Sequence, residues 1–262
     1  MEAFVEAATT AARVGGETLK ATWRRDKQIE IKSGPVDIVT NVDRVVERGI
    51  MELLRSRFPE HGIVAEESPQ ERTASPYCWY VDPIDGTTNF AHGYPHFAVS
   101  VALAHEGVPV VGVVYDPLRE ETFCARRGGG ATLNDAPLHV STVSGLEQSL
   151  LLTGFPYDRR ERSAFYLRFY EAFMCRAQGV RRSGSAALDL CYVAAGRAEG
   201  FWEWRLQPWD TAAGVLMVEE AGGGVSDFCG ARFELLGEQT LASNGLIHAG
   251  MIGVVRDVLA RT

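Results

Sequence analysis

The chain lacks several features that mark whole classes of protein. Its 262 residues contain no run of 18 apolar residues, so we expect no membrane-spanning helix. The N-terminus carries an acid early and has no long apolar stretch, so no signal peptide is predicted there. The net charge of −8 implies no broad basic face, which argues against nucleic acid as the main ligand.

Cysteine is scarce as well, and its spacing does not suggest a disulfide framework. The cysteines number five, which is odd, and they form no CxxC pair. We therefore predict reduced, mostly buried thiols in a cytoplasmic protein. The residues concerned are Cys78, Cys124, Cys175, Cys191 and Cys229.

What is present predicts a globular chain of mixed helix and sheet. The first half has helical periodicity at residues 2–24 and 40–58, separated by a short hairpin or mobile loop at 27–37. Strands are predicted at residues 63–65, 78–84, 97–105, 108–115 and 120–126. The last three should form an antiparallel meander, because short turns join them. A polar stretch at 127–148 links the halves.

The second half alternates strand and helix. The predicted strands are residues 149–153, 178–182, 200–204 and 239–243, and the predicted helices are residues 160–176, 185–196, 209–221 and 246–260. Together the halves predict an α/β (α+β) fold. We predict one domain over residues 1–262, with an antiparallel-sheet half at 1–145 and an alternating half at 146–262.

Residues 82–90, DPIDGTTNF, are the most informative stretch. Asp82 and Asp85 flank Pro83, which holds its neighbours extended, and Gly86 permits a sharp bend. The apolar run before them predicts a buried strand, and Thr87 can begin a helix. A strand end would then bring two acids and a helix N-terminus to one place. This pattern is typical of a metal-dependent phosphate site.

Further acids could complete such a site. Asp210 follows Pro208, which suits a helix start, so Asp210 should lie in the first helical turn. Asp43 and Glu66 lie at a predicted helix start and a predicted strand end. Any one of these acids alone is more often a cap or turn former, and Glu67 is interpreted as a surface acid. Together they match the few carboxylates that Mg²⁺ binds beside water and phosphate.

These segments resemble the inositol monophosphatase family. The matching segments are residues 35–43, 64–68, 82–89, 209–214 and 220–223. Ala65 stands where the family usually has Gly. The resemblance runs from about residue 3 to residue 258. It implies the layered αβαβα sandwich of the inositol monophosphatase and fructose-1,6-bisphosphatase type, with the first half binding metal and the second completing the site.

The resemblance implies two to three Mg²⁺ ions and a set of ligands for them. Glu66, Asp82 and the Ile84 carbonyl would hold the first ion. Asp82, Asp85 and Asp210 would hold the second, and Glu66 would face a third through waters. Asp85 and Asp210 would also lie against the substrate.

The resemblance also assigns the attacking water and the phosphate. Asp43 and Thr87 would orient the water, with Asp43 accepting a hydrogen bond from the Thr87 hydroxyl. Glu66 would contribute to catalysis as well. The N–H groups of Gly86 and Thr87 would hold the phosphate.

The alcohol part of the substrate would meet a separate segment. The family reads it with residues that match Gly184, Ser185, Ala186 and Glu203. Ser185 stands where Thr or Ala is common. Without the resemblance, this segment predicts a simple helix N-cap at Ser183 or Ser185, and Glu203 is interpreted as an ordinary strand acid.

The implied activity is hydrolysis of a phosphate monoester by a metal-activated water, with no covalent phosphoenzyme. A substrate of the myo-inositol 1-phosphate type fits the motif best, and fructose 1,6-bisphosphate, histidinol phosphate and phosphoadenosine phosphate are alternatives. A second phosphate would need basic partners, for which Arg159, Arg160 and Arg182 are candidates. A regulatory module is an alternative of another class, since some bacterial relatives contact the transcription machinery.

The resemblance further implies a homodimer and inhibition by lithium, which would replace the second magnesium. No membrane partner is expected, because the sequence has no run of 18 apolar residues. A mobile loop at residues 28–40, which contains Lys32, would close over the site.

Overall fold

A computed structural model describes residues 1–261, except for the side chain of Ser33. The helices are α1 (Glu2–Thr22), α2 (Asn41–Arg57), α3 (Thr87–Ala91), α4 (Ser163–Met174), α5 (Ala186–Ala194), α6 (Pro208–Glu220) and α7 (His248–Leu259). The strands of the first half are β1 (Ile29–Gly34), β2 (Asp37–Thr40), β3 (Gly62–Ala65), β4 (Tyr77–Asp85), β5 (Ala98–His105), β6 (Val108–Asp116), β7 (Glu121–Arg126), β8 (Gly130–Leu133) and β9 (Ala136–Pro137). The second half contributes β10 (Leu150–Thr153), β11 (Gly179–Arg181), β12 (Gly200–Trp204), β13 (Gly224–Ser226) and β14 (Gln239–Ser243).

These elements form five layers. A seven-stranded sheet runs in the order β3-β4-β5-β6-β7-β8-β9, with α1 and α2 on one face and α6 on the other. A five-stranded sheet, β11-β10-β12-β14-β13, lies beyond α5 and α6. Helices α4 and α7 pack together with the apolar residues of its far side. The predicted αβαβα sandwich is confirmed.

Strand β5 shows how the sequence builds two cores at once. Val99, Val101 and Leu103 enter the core that contains α1 and α2. The intervening small residues, such as Ala98 and Ala102, enter the core that contains α5 and α6. Side chains of a strand alternate between faces, so one strand buried on both sides supplies both cores. Its near-continuous apolar run follows from that double burial.

Glycine brings α6 very close to the seven-stranded sheet. A Cβ on Gly112 of β6 would lie 2.8 Å from the Cα of Ala213 in α6. Real Cβ atoms do not approach a backbone that closely, so this contact requires glycine. The close approach sets the distance between the sheet and the first turn of α6, where Asp210 lies.

Most predicted elements are confirmed, and three expectations were wrong. The stretch 127–148 is more than a linker, because β8 and β9 within it extend the seven-stranded sheet. The thiols are all free, yet they are not mostly buried, since only Cys191 is buried and Cys175 and Cys229 are exposed. Glu67 is no surface acid, because its side chain is 6% exposed and paired with Lys32.

The predicted hairpin is present as β1 and β2, which pair antiparallel. In residues 1–261, helices long and apolar enough to cross a membrane are absent. The single domain with a division near residue 145 stays a prediction.

Candidate active site

Two acids meet at the ends of neighbouring strands. Strands β3 and β4 run parallel, with Ala65 opposite Val81. The next residues of the two chain segments, Glu66 and Asp82, therefore lie side by side. Strand β4 then departs from regular pairing between Asp82 and Asp85. This irregularity accommodates Pro83 and leaves both aspartates buried, at 2% and 7% exposure. The motif thus places three carboxylates at one edge of the sheet.

The turn after β4 is tight and depends on glycine. Gly86 has a φ of +101°, which disfavours any residue with a side chain. A Cβ there would also lie 3.1 Å from the His96 carbonyl oxygen and 3.2 Å from that of Gly184. Helix α3, which Thr87 begins, has only five residues. The predicted helix start is therefore present but short.

Asp43 approaches this turn from α2. Its Oδ2 accepts a hydrogen bond from the Thr40 N–H at 2.8 Å, within a capping box. Its Oδ1 lies 3.1 Å from the Thr87 hydroxyl, which is also 2.9 Å from the Ile84 carbonyl oxygen. Burial raises the pKa of Asp43, and the hydrogen bonds from Thr40 and Thr87 oppose that rise. The predicted Asp43–Thr87 contact is present.

Asp210 comes from the second half. It is the third residue of α6, and its Oδ2 accepts the Gln207 N–H at 2.7 Å. Pro208 begins the helix, as expected, and the Ser100 hydroxyl donates to the Trp209 carbonyl at 3.1 Å. That last bond ties the first turn of α6 to strand β5. Asp210 is thereby held against the acids of β3 and β4.

The four acids disturb one another's protonation. Burial raises the pKa of Asp82 well above its ordinary value, and the charges of Glu66, Asp85 and Asp210 raise it further. Burial likewise raises the pKa of Asp210, with the charges of Asp85 and Glu66 next in size. Burial raises the pKa of Asp85 to about 6, against the hydrogen bonds of the Ser185 hydroxyl and nearby N–H groups. So much crowded negative charge calls for a counter-cation.

Lys32 supplies one positive charge to this cluster. Its Nζ lies 2.8 Å from Glu66 Oε1 and also pairs with Glu67. Burial opposes the charge on Lys32, but the two glutamates outweigh it and raise the pKa of the ammonium. Lys32 lies in β1, so the hairpin predicted to close over the site does contact an acid of the site.

The donor set fits a hard cation, although the side chains do not yet enclose one. Carboxylate oxygens are the ligands that Mg²⁺ prefers. Within residues 1–261, however, no three acids, histidines or cysteines converge closely enough to hold an ion as they stand. The Lys32 ammonium donates a hydrogen bond to Glu66, and the Ser185 hydroxyl and the Ala187 N–H donate to Asp85. These hydrogen bonds leave further lone pairs on both carboxylates, with which a cation can be coordinated.

A second wall of the cleft comes from α5 and β12. The Ser185 hydroxyl donates to Asp85 Oδ2 at 2.5 Å, and the Ala187 N–H donates to the same oxygen at 2.7 Å. Ser185 is also the N-cap of α5. Glu203 of β12 is 8% exposed, and burial raises its pKa to about 8. Gly184, Ala186 and Glu203 all line the cleft that contains the four acids.

The cleft has contributors that the sequence did not reveal. Tyr157 and Asp189 line it, and neither was among the expected site residues. Tyr157 follows β10, whose end adjoins that of β12 because these strands run parallel. Ligands bind at the carboxyl ends of parallel strands, so the polar residues that follow β10 were a signal that the sequence offered. Asp189 lies one turn after Ser185 in α5, and no pattern in the sequence marks it.

Comparison with known proteins agrees with this geometry. Residues 1–260 match the sequence profile described as the Inositol monophosphatase family. A Synechocystis protein named Inositol-1-monophosphatase is 45% identical over 249 residues, which cover 95% of this chain and 87% of that protein. The Escherichia coli K12 protein named Nus factor SuhB is 42% identical, with 99% and 98% of the chains covered.

A solved structure shows the same fold. The inositol monophosphatase from Anabaena superposes with a TM-score of 0.89 at 41% identity, over 98% of this chain and 96% of that chain. Both the family profile and the relatives cover nearly the whole chain. This chain is therefore a phosphatase that belongs to the inositol monophosphatase family.

Proposed function

We propose that the chain hydrolyses a ring-alcohol phosphate monoester of the myo-inositol 1-phosphate type, with magnesium as cofactor. The observation that carries the proposal is one cleft with two chemically different walls. Glu66, Asp82, Asp85 and Asp210 crowd one wall, and Glu203 with residues 184–186 forms the other. The acids suit cations and a phosphate, and the second wall suits an uncharged polyol.

The metal-ligand roles follow the acids. Glu66, Asp82 and the Ile84 carbonyl would hold one ion, and Asp82, Asp85 and Asp210 a second. Glu66 would face a third ion through waters. When bound, magnesium would neutralise phosphate oxygens, lower the pKa of the attacking water and stabilise the leaving oxygen. The strong pKa rise of Asp82 supports this assignment, since a cation would relieve the repulsion that causes part of it.

The remaining residues orient the reactants. The Thr87 hydroxyl, 3.1 Å from Asp43 Oδ1, would accept a hydrogen bond from the attacking water while donating its own proton to Asp43. This arrangement would fix the direction of the water. The N–H groups of Gly86 and Thr87 would hold the phosphate at the turn. Glu66 would contribute to catalysis from within the acid cluster.

The alcohol would lie against α5 and β12. Glu203 would accept hydrogen bonds from ring hydroxyls, and Gly184, Ser185 and Ala186 would contact the ring. A polyol suits a buried carboxylate better than an apolar alcohol does, because the hydroxyls satisfy it. The name of the Synechocystis relative, Inositol-1-monophosphatase, supports inositol 1-phosphate among the polyol esters.

The test is phosphate release with and without Mg²⁺ from four esters, namely inositol 1-phosphate, fructose 1,6-bisphosphate, histidinol phosphate and phosphoadenosine phosphate. We expect magnesium-dependent release that is highest on inositol 1-phosphate. Preference for another ester would overturn the substrate and keep the reaction. No release from any ester, by folded protein that binds Mg²⁺, would overturn the proposed activity.

A second candidate substrate is a sugar bisphosphate such as fructose 1,6-bisphosphate. Arg159 and Arg182 both line the cleft. In the described part of the chain, neither forms an ion pair with a carboxylate. Burial lowers the pKa of Arg159, and the charge of Arg182 lowers it further. Two neighbouring unpaired guanidinium groups could bind a second phosphate.

The family also supports proposals about assembly and regulation. We propose that the chain forms a homodimer, which sedimentation would test. We also propose that lithium inhibits it, which an assay with LiCl would test. The free thiols fit the proposed cytoplasmic location. The relative named Nus factor keeps a regulatory role open as an alternative. A pull-down at physiological salt tests it, since a stoichiometric protein or RNA partner would support that role.

A further inference from the structure

Two buried polar atoms face each other behind the cleft. His96 Nε2 and Asp189 Oδ1 lie 3.9 Å apart, on side chains that are 8% and 2% exposed. Among the residues that the structure describes, neither atom has a hydrogen-bond partner. Buried polar groups without partners destabilise a fold, so native structures contain few of them. Each atom is the natural partner of the other.

The distance between them is short enough to close. An N–H···O hydrogen bond is about 2.9–3.0 Å long, so a movement of about 1 Å joins the two groups. Burial lowers the pKa of His96 to about 4, which keeps the ring neutral. A neutral ring carries one proton, and on Nε2 that proton points at Asp189.

Both residues are tied to the segment that would meet the alcohol. The Asn89 amide of the motif donates to the His96 carbonyl at 2.7 Å and to the Ser183 carbonyl at 2.9 Å. The Asp189 N–H donates to the Ser185 carbonyl at 3.0 Å, and its carboxylate accepts a hydrogen bond from Ser183. His96 therefore lies on the motif side of the junction and Asp189 on the α5 side. A bond between them would clamp the segment from both sides.

We propose that His96 and Asp189 form a hydrogen-bonded positioning pair that holds residues 183–186 at the depth where they meet the alcohol part of the substrate. Asp189 lines the cleft, but its Oδ1 and His96 Nε2 are both enclosed, so the pair would act by positioning the segment. Its effect on substrate rests on the proposed function, whereas the hydrogen bond itself does not.

The kinetic experiment compares two ligands of the cleft. His96→Phe and Asp189→Leu, neither of which can form the bond, should each raise the KM for inositol 1-phosphate about five- to tenfold, the effect of one lost hydrogen bond. The inhibition constant of inorganic phosphate, which has no alcohol part, should stay unchanged. The KM of the double variant should be no higher than the KM of the more strongly affected single variant. His96→Gln, whose amide can reach Asp189, should restore KM to within about twofold of wild type.

A matched control separates positioning from loss of packing. Cys191 lies in the same helix as Asp189 and is also fully buried, but it takes no part in the pair. Cys191→Ala should leave KM unchanged. Additive effects in the double variant would overturn the proposal, as would unchanged KM in both single variants. A parallel rise of KM and of the phosphate inhibition constant would overturn it too, since that indicates general damage.

A spectroscopic measurement tests the pair without any activity. The ¹⁵N shifts of the His96 ring should show a proton on Nε2 in the wild type and a changed ring environment in Asp189→Leu, which has no acceptor. Identical ring shifts in both proteins would overturn the pair. If the wild type cleaves no ester, the proposed function fails, and these shifts still decide whether the pair exists.

Discussion

Gly154 provides the space that the Glu203 carboxylate occupies. A Cβ on residue 154 would overlap both carboxylate oxygens of Glu203. The two residues meet because β10 and β12 run parallel, with Thr153 opposite Trp202. The missing side chain at the end of one strand therefore sets the position of the acid on the next.

The first prediction tests that relationship. Gly154→Ala should displace the Glu203 carboxyl group and raise the KM for inositol 1-phosphate about tenfold, the loss of about one hydrogen bond. Magnesium dependence should not change, because the acid cluster lies on the other wall. Steady-state kinetics at several Mg²⁺ concentrations measure both. Gly253→Ala in α7 is the matched control, because a Cβ there meets open space. Equal KM values for the two variants would contradict the role of Gly154.

The second prediction concerns the acid shared by both proposed ions. Asp82→Asn should reduce turnover by several orders of magnitude, because metal activation of water contributes that much. The protein should stay folded, since Asn keeps the shape and relieves charge repulsion from Glu66 and Asp85. Turnover and circular dichroism measure the two effects. An active, folded variant would refute the two-metal assignment.

The third prediction concerns a buried acid that supports Glu66 from behind. Glu47 of α2 is 1% exposed, and its Oε2 accepts the Glu67 N–H at 2.7 Å. Its other oxygen accepts the Ser68 hydroxyl. Glu47→Ala should free this turn and raise the Mg²⁺ concentration for half-maximal activity about 10–100-fold, as loss of ligand support does elsewhere.

The matched control for Glu47 lies on the same helix. Glu52 is exposed, so Glu52→Ala should leave the Mg²⁺ requirement unchanged. Titration calorimetry with Mg²⁺ checks the affinity directly. A Glu47→Ala protein that binds Mg²⁺ like the wild type would show that the turn holds its shape without Glu47.

The fourth prediction is a pH dependence of stability. Folding raises the pKa of Glu203 from 4.5 to about 8, chiefly through burial. Below about pH 4.5 the group is protonated in both the folded and unfolded states. Between those values the unfolded chain releases a proton that the folded protein keeps, so stability is lost as pH rises through about 8. Glu203→Gln removes this loss.

Thermal unfolding of metal-free protein checks the sign. The melting temperatures of Glu203→Gln and wild type should agree near pH 4.5, and the variant should melt several degrees higher near pH 8. Exposed Glu161, changed to Gln, should give no such difference. A variant less stable than wild type at pH 8 would mean that the charged form of Glu203 is favoured in the fold.

The fifth prediction separates the two candidate substrates. If Arg159 and Arg182 bind a second phosphate, changing each to Ala should raise the KM for fructose 1,6-bisphosphate at least tenfold. The KM for inositol 1-phosphate should change much less. Arg160→Ala is a useful comparison, because Arg160 is exposed and does not line the cleft. Equal losses for both substrates would exclude the second-phosphate role.

The sequence predicted elements whose periodicity is long and regular. Helices α1 and α2 and the meander β5 to β7 agree with their predicted bounds to within a few residues. Strands β8 and β13 were not predicted, because each is short, contains glycine and exists only through pairing with a neighbour. Exposure of Cys175 was also missed, since it lies at the end of α4, where residue type does not decide burial.

The site was predictable only where local rules apply. Glu66 follows the end of β3, Asp82 and Asp85 lie in the last residues of β4, and Asp210 follows a helix start, so short patterns reveal them. The fit of Glu203 against Gly154 joins distant parts of the chain. The same holds for the contact of Asp189 with His96. No short pattern encodes such contacts, because they depend on how the layers pack.

The middle helix layer has a consequence for synthesis on the ribosome. A nascent chain displays Glu66, Asp82 and Asp85 long before α6 and Asp210 emerge. Until then, the inner face of the seven-stranded sheet lacks the helices that cover it. Domains fold as units during synthesis, and uncovered apolar faces favour aggregation. The cleft therefore cannot exist until α6 has left the ribosome, and the uncovered sheet before that point is the stage at which a chaperone would be needed most.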